Sequence, residues 1–463
     1  MSPSTEHRTR RGPVLASVVL VLVAAAAVLL TSTAPAPPIA PAGTSGELVS
    51  RTVLTCPDYA AGGGVDTSVR VGLAAVQRLG SDGSVRRGPV DGDQRPVDVS
   101  RGEVVDVPRD GGPTVVSTDD LAAGLFGDRT DRRTGGTLAV TSCVAPRAQW
   151  WFTGAGAGLD HSSTLLLTNV DPGPAVIDLR VLGPDGEVET VGTTGITIPP
   201  RSQQRIELAD IAPQTDDLSL GVRASRGRVA ASVADSRRAG ASAPSGHEWI
   251  PSTDRPSRTV RLGGLPVRGG DRTLLVANPS DREAVVDLRV SGRSGAFAPA
   301  GLDPVSVAPG ALVQVDLDEV LPAGEAVALR LRSRVPVVAS VRVTDRGDHA
   351  YAGPVTPLPG PAAAPVLEGL QASVQLTAGA VAATASVSVY DESGKRVGGT
   401  TLPLGPGATR AWSTPRSAAY LVVTPSQGSV TGAVGYAGDG LADLPLTALP
   451  IRVQRPPVRP VVR

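Results

Sequence analysis

One stretch of this chain occurs twice, and that repetition constrains the fold more than any other feature. Thr164-Leu165-Leu166-Leu167-Thr168-Asn169 returns 109 positions later as Thr273-Leu274-Leu275-Val276-Ala277-Asn278, and Val176-Ile177-Asp178-Leu179-Arg180-Val181 returns as Val285-Val286-Asp287-Leu288-Arg289-Val290. The offset then holds without a gap, pairing Ile198 with Val307, Ile206 with Val315, Leu208 with Leu317 and Pro213 with Pro322. After a one-residue slip, Val229-Ala230-Ala231-Ser232-Val233 matches Val337-Val338-Ala339-Ser340-Val341. Two copies of one domain explain this economically. A weaker third copy follows in Val387-Ser388-Val389-Tyr390, Leu404-Gly405-Pro406-Gly407 and the stretch from Val430 to Tyr436.

Within each copy the apolar residues alternate, as in Leu218, Leu220 and Val222, which is the period of a half-buried strand. Gly183-Pro184-Asp185-Gly186 and Ala308-Pro309-Gly310 supply turns, and the 54 glycines and 42 prolines of the chain work against long helices. At 463 residues the chain exceeds what one hydrophobic core serves. The expected fold is mostly β: tandem immunoglobulin-like β-sandwich modules after an N-terminal transmembrane or signal helix. The expected boundaries are a signal anchor or signal peptide over 1–34, a linker over 35–46, a divergent module with the cysteines over 47–148, repeats over 149–258, 259–365 and 366–451, and a disordered tail over 452–463. That tail carries Arg452, Arg455, Arg459 and Arg463.

Arg8, Arg10 and Arg11 precede an apolar run over 14–30, interrupted only by Ser17. This is a signal peptide or an uncleaved anchor; the small-residue cleavage sites near Ala34 and Ala36 are each followed by proline, which favours the anchor. Either way the body is expected outside the cytoplasmic membrane, membrane-bound by a single pass or secreted. The only two cysteines, Cys56 and Cys143, fall in the first module, and an oxidising compartment makes a disulfide the expected state, with two buried free thiols the alternative.

Candidate functional residues are few. The only asparagines, Asn169 and Asn278, hold one repeat position and precede turn sequences, where an Asn side chain closes the turn on its own backbone; a repeated ligand contact is the other reading. Trp150 and Trp151 stand out in a chain that is 3% aromatic, as a module interface or, alternatively, a sugar platform. Successive side chains of a strand face opposite sides, so one of the pair fills a core and the other meets solvent or a neighbouring module.

His7, His161, His247 and His349 are isolated in sequence, with no metal-ligand spacing, and no cofactor is expected. Asp160-His161-Ser162 is the nearest approach to a triad, but adjacent residues of an extended segment point apart. A hydrolase would need His161, His247 or His349 to meet a carboxylate and a nucleophile in a cleft. A formal net charge of zero disfavours nucleic acid as a partner. The chain is expected not to be an enzyme.

Thr55-Cys56-Pro57, Ser142-Cys143 followed by Trp151-Phe152, Leu167-Thr168-Asn169 and Phe297-Ala298-Pro299-Ala300-Gly301-Leu302-Asp303 resemble an uncharacterised family of exported actinobacterial proteins, described as a domain of unknown function. The resemblance implies one N-terminal membrane segment, an envelope location and an accessory role in envelope assembly, since such proteins are often encoded near a membrane glycosyltransferase. It supplies no catalytic residues. The expected function is a non-catalytic spacer or docking scaffold, possible partners being the cytoplasmic membrane, an envelope protein or glycosyltransferase and the cell-wall glycan; a carbohydrate-binding protein of the wall is the alternative.

Overall fold

The computed structural model describes residues 46–453 except 60–63, 77, 109–111, 134–135, 239–244, 266–269, 323 and 439. The expected N-terminal helix, most of the linker and most of the tail therefore lie outside the described residues. Among the described residues no helix is long and apolar enough to cross a membrane.

Alternation turns directly into strands. Along Ala284–Gly292 buried and exposed residues alternate through the first six positions, and Ala383–Tyr390 alternates throughout. The strands assemble four sandwiches of one design, all pairings antiparallel. In the second module the seven principal strands are Gln149–Ala155, His161–Asn169, Ala175–Gly183, Ser202–Glu207, Leu218–Arg226, Ala230–Arg238 and Ser245–Trp249. One sheet has the order third–fifth–first; the other has the order fourth–second–sixth–seventh. The fourth module repeats this with Ala362–Pro365, Gln371–Ala378, Ala383–Tyr390, Thr409–Ser413, Tyr420–Gln427, Val430–Ala437 and Leu441–Pro445.

The first module, whose sequence is most divergent, has the same order in Arg51–Thr55, Val65–Leu73, Val85–Gly88, Val104–Val107, Thr114–Thr118, Leu125–Arg133 and Thr137–Ser142. In the third module, Ser257–Leu265, Asp271–Ala277, Ala284–Gly292, Leu312–Asp316 and Asp348–Ala352 surround a continuous strand, Val327–Asp345. That strand pairs in one sheet up to Val337 and in the other from Val338, so it serves as fifth and sixth strand together. In the second module the same run is broken near Gly227, whose φ of 73° favours glycine.

This strand order corrects the immunoglobulin-like expectation. In the immunoglobulin sandwich the first two strands share a sheet, whereas here the chain changes sheets at every step from first to sixth strand. Period-two alternation identifies a strand and its buried face but is silent on its neighbours.

The modules are also not strung out. The seventh strand of each packs on that of the next, and the fourth module's on the first's, so the four meet around one axis. Side chains of adjoining modules join the same hydrophobic clusters: Leu275, Ala277 and Val338 with the second module's core, Leu138 and Val140 with the fourth's, and Ala74 and Phe126 with Ala419 and Tyr420. The Arg70 guanidinium holds Asp128 while donating to Val366 O and Ala419 O, each at 3.3 Å, joining first and fourth modules. Between the first and second modules a cleft of about 360 Å³ remains, lined in part by Arg51, Thr114, Asp171 and Arg228. Val49 N donates to Ile451 O at 3.1 Å, so the chain enters and leaves the ring at neighbouring backbone positions.

Cys56 and Cys143 form a disulfide. Each cysteine directly follows an edge strand, one in each sheet of the first module, so the bond closes one side of the sandwich. Gly127 leaves the room: a Cβ there would stand 2.9 Å from Cys143 Sγ. Paired Cys56→Ser and Cys143→Ser substitution should cost about 2–4 kcal/mol. Denaturant midpoints with and without reductant test this, since only the native protein should respond to reductant.

Candidate functional site

The asparagines sit where the repeat places them and do the same work. Asn169 Nδ2 donates to Gly173 O, Ile198 O and Pro199 O, and its Oδ1 accepts from Asp171 N. Asn278 Nδ2 donates to Arg282 O, Val307 O and Ala308 O, and its Oδ1 accepts from Ser280 N. Both are fully buried, so neither side chain faces a ligand.

The tryptophans are buried too. Trp150 lies opposite Val222 on the core face, donating Nε1 to Val229 O at 2.9 Å. Trp151 takes the other face, opposite Gly221, where an added Cβ would strike its ring. The third module covers this side: Ser340 Oγ donates to Thr153 O and Tyr351 Oη to Gly154 O. The pair therefore offers no ring to a sugar.

The histidines are not isolated in space. Asp235 ends the core-facing row of the second module's sixth strand, directly opposite Ser163. Its Oδ1 accepts from Ser163 Oγ and from His161 Nε2 at 2.9 Å; its Oδ2 accepts from His349 Nε2 at 3.1 Å and Tyr351 Oη at 2.8 Å. Arg237 Nη1 stands 2.8 Å from His161 Nδ1. Burial alone would raise the Asp235 pKa, but His161 and His349 outweigh it and hold this carboxyl well below the usual range. Burial pushes the His349 imidazole below its ordinary value, partly offset by Asp235.

The joint between first and second modules is built alike. Asp131 lies opposite Thr67, as Asp235 lies opposite Ser163. It accepts from Thr67 Oγ1, the Arg129 guanidinium and Trp249 Nε1 at 3.0 Å, while His247 Nε2 stands 3.6 Å away, too long for a hydrogen bond. Burial would raise its pKa; His247, Arg129 and Thr67 together hold it well below the ordinary value. Each time a histidine and an aromatic two residues later, His247 with Trp249 and His349 with Tyr351, reach from a seventh strand to an aspartate of the preceding module. At the corresponding position the third module has Val343, clustered with Leu441 of the fourth, and the fourth has Tyr436, clustered with Leu138 of the first. At this one position two modules carry an aspartate and two do not.

Between the joints, carboxyls face the axis. A seventh strand is a sheet edge whose free N–H groups need acceptors. Glu248 Oε1 accepts from Trp249 N at 2.8 Å and Val140 N at 3.4 Å, and Asp348 Oδ2 from Leu441 N at 2.8 Å and Leu138 N at 3.2 Å. Burial pushes Asp348 up to about 7 and Glu248 and Asp443 well above their usual values; at Glu248 the Asp348 and Asp443 charges add to it.

His161, Ser163, Asp235, His349 and Tyr351 are each at most 2% exposed. The cluster has the composition of a catalytic relay but admits no substrate, and among the described residues no three His, Cys, Asp or Glu side chains group as metal ligands. Sequence reasoning missed it; the signal available was the recurrence of His-x-aromatic in the second and third modules.

Fold and joints together define an all-β protein of four like sandwiches closed on an axis of buried polar groups. Residues 114–415 match the family of unknown function DUF5719, and the chain belongs to that family. No curated protein and no solved structure matches it.

Proposed function

We propose that this is a non-catalytic extracytoplasmic envelope protein, tethered by its N-terminal apolar segment, whose ring is a docking body for another envelope component such as a glycosyltransferase. The observation carrying this reading is the joint at Asp235, which ties up His161, Ser163, His349 and Tyr351 and holds two modules in fixed orientation. A body joined in this way presents loops rigidly, which suits docking. The carbohydrate-binding alternative lacks the support of the tryptophan pair, both members being buried.

Crosslinking in intact cells, followed by recovery from the membrane fraction, mass spectrometry and sugar analysis, tests the proposal. One envelope protein should be enriched with the native chain and lost with an Asp235→Ala chain. Wall glycan recovered without protein would overturn docking in favour of carbohydrate binding.

A further inference from the structure

Three arginines stand in a row across the first sheet of the third module, on the face away from its core. Arg330 lies directly opposite Arg261 on one neighbouring strand and Arg289 on the other. Arg332, two residues on, shares the face and lies opposite Asp287. Strands about 4.8 Å apart put the three guanidinium stems in a row about 10 Å long. Like charges directly opposite in a sheet are destabilising. None of the four arginines enters an ion pair or side-chain hydrogen bond among the described residues, and the Arg330 Nε is buried without a partner. Burial and then Arg332, Arg289 and Arg261 lower the Arg330 pKa; burial and then Arg332 lower that of Arg261.

The row is not an open flat face. Arg261, Arg330 and Arg332 line a concavity of about 100 Å³ together with Ser291, Thr377 and Thr431, the threonines coming from the fourth module. Arg261 also walls a second cavity, of about 570 Å³, on its other side. The floor is therefore cationic and the rim carries hydroxyl groups.

We propose that this groove binds a diphosphate group, free or as part of a larger molecule. A guanidinium offers paired donors that match phosphate oxygens. Arg261, Arg330 and Arg332 on one lining call for more negative charge than one carboxylate carries, and two linked phosphates supply it. A bound anion relieves the like-charge repulsion between these arginines. This site is independent of the scaffold reading, since it needs only the third and fourth modules in their observed contact.

Calorimetric titration of the full-length protein in detergent with inorganic pyrophosphate tests it. Pyrophosphate should bind at least about tenfold more tightly than orthophosphate, weakening as salt is raised. The triple variant R261Q/R330Q/R332Q should lose at least about tenfold in affinity while its thermal midpoint without ligand rises, because like-charge repulsion is removed. Should that variant fail to fold, R332Q alone, at an exposed position of the groove, should still weaken pyrophosphate severalfold. Equal affinity for the two anions, or unchanged binding in the variants, would overturn the proposal.

Discussion

Asp235→Ala should destabilise the protein by about 3–5 kcal/mol, the cost of removing one partner from a buried charged network. Four donors converge on this carboxylate from two modules, and none reaches water to recover a partner. Alanine leaves two imidazoles and a serine hydroxyl without their acceptor and Tyr351 Oη with Gly154 O alone, with Arg237 still facing His161. Asp235→Asn should fall short of that loss but remain destabilising, because the amide keeps one acceptor atom and turns the other into a donor facing donors. Urea unfolding of both variants beside the native protein gives the comparison. A loss below about 1 kcal/mol for alanine would mean that apolar packing alone holds the second and third modules together.

Raising the pH from 5 to 8 should lower stability, and Asp348→Asn should remove much of that slope. The Asp348 carboxyl is pushed by burial to about 7, above its ordinary value near 3.9. The folded state therefore binds the proton more tightly than the unfolded chain does. The resulting stability is fully present below the unfolded pKa and is lost as pH rises through 7, up to about 4 kcal/mol. Glu248 and Asp443, raised by the same burial, act in the same sense.

Asp131 and Asp235 act oppositely: their depressed carboxyls contribute stability above about pH 4 that is lost in stronger acid. His349, depressed by burial, adds a rise in stability as pH climbs towards 6.5 and nothing beyond it. Maximum stability is thus expected in mild acid. Asparagine keeps an acceptor at Asp348 without a titrating proton, so thermal midpoints of the variant should vary less between pH 5 and 8 than those of the native chain. Parallel profiles would show that Asp348 does not carry the effect.

Much of the architecture was legible because repetition and alternation are local signals. The paired blocks around Asn169 and Asn278 mark equivalent turns, and the asparagines close them with matching hydrogen bonds. Strand partners were not legible. Alternation in Val176-Ile177-Asp178-Leu179 says which side is buried, but the choice between a neighbouring second or fifth strand is made by tertiary packing. The polar axis was hidden for a related reason: Glu248 and Asp348 resemble solvent-facing residues of short edge strands until four such edges meet. His161 and His349 come together from positions 188 residues apart, a distance no motif spacing covers.

The fourth-to-first contact also sets a timetable for the chain. Arg70 and Asp128 lie in the first module, but two of the carbonyls that complete the arginine's coordination, Val366 O and Ala419 O, belong to the last, and Tyr420 Oη reaches back to Gly102 O. A growing polypeptide makes the first module's strands early and cannot finish burying their charged face until about 350 further residues have followed. Chains interrupted before that point keep an ion pair open to water and an apolar sheet uncovered, so completeness of synthesis is tested by the molecule's own closure.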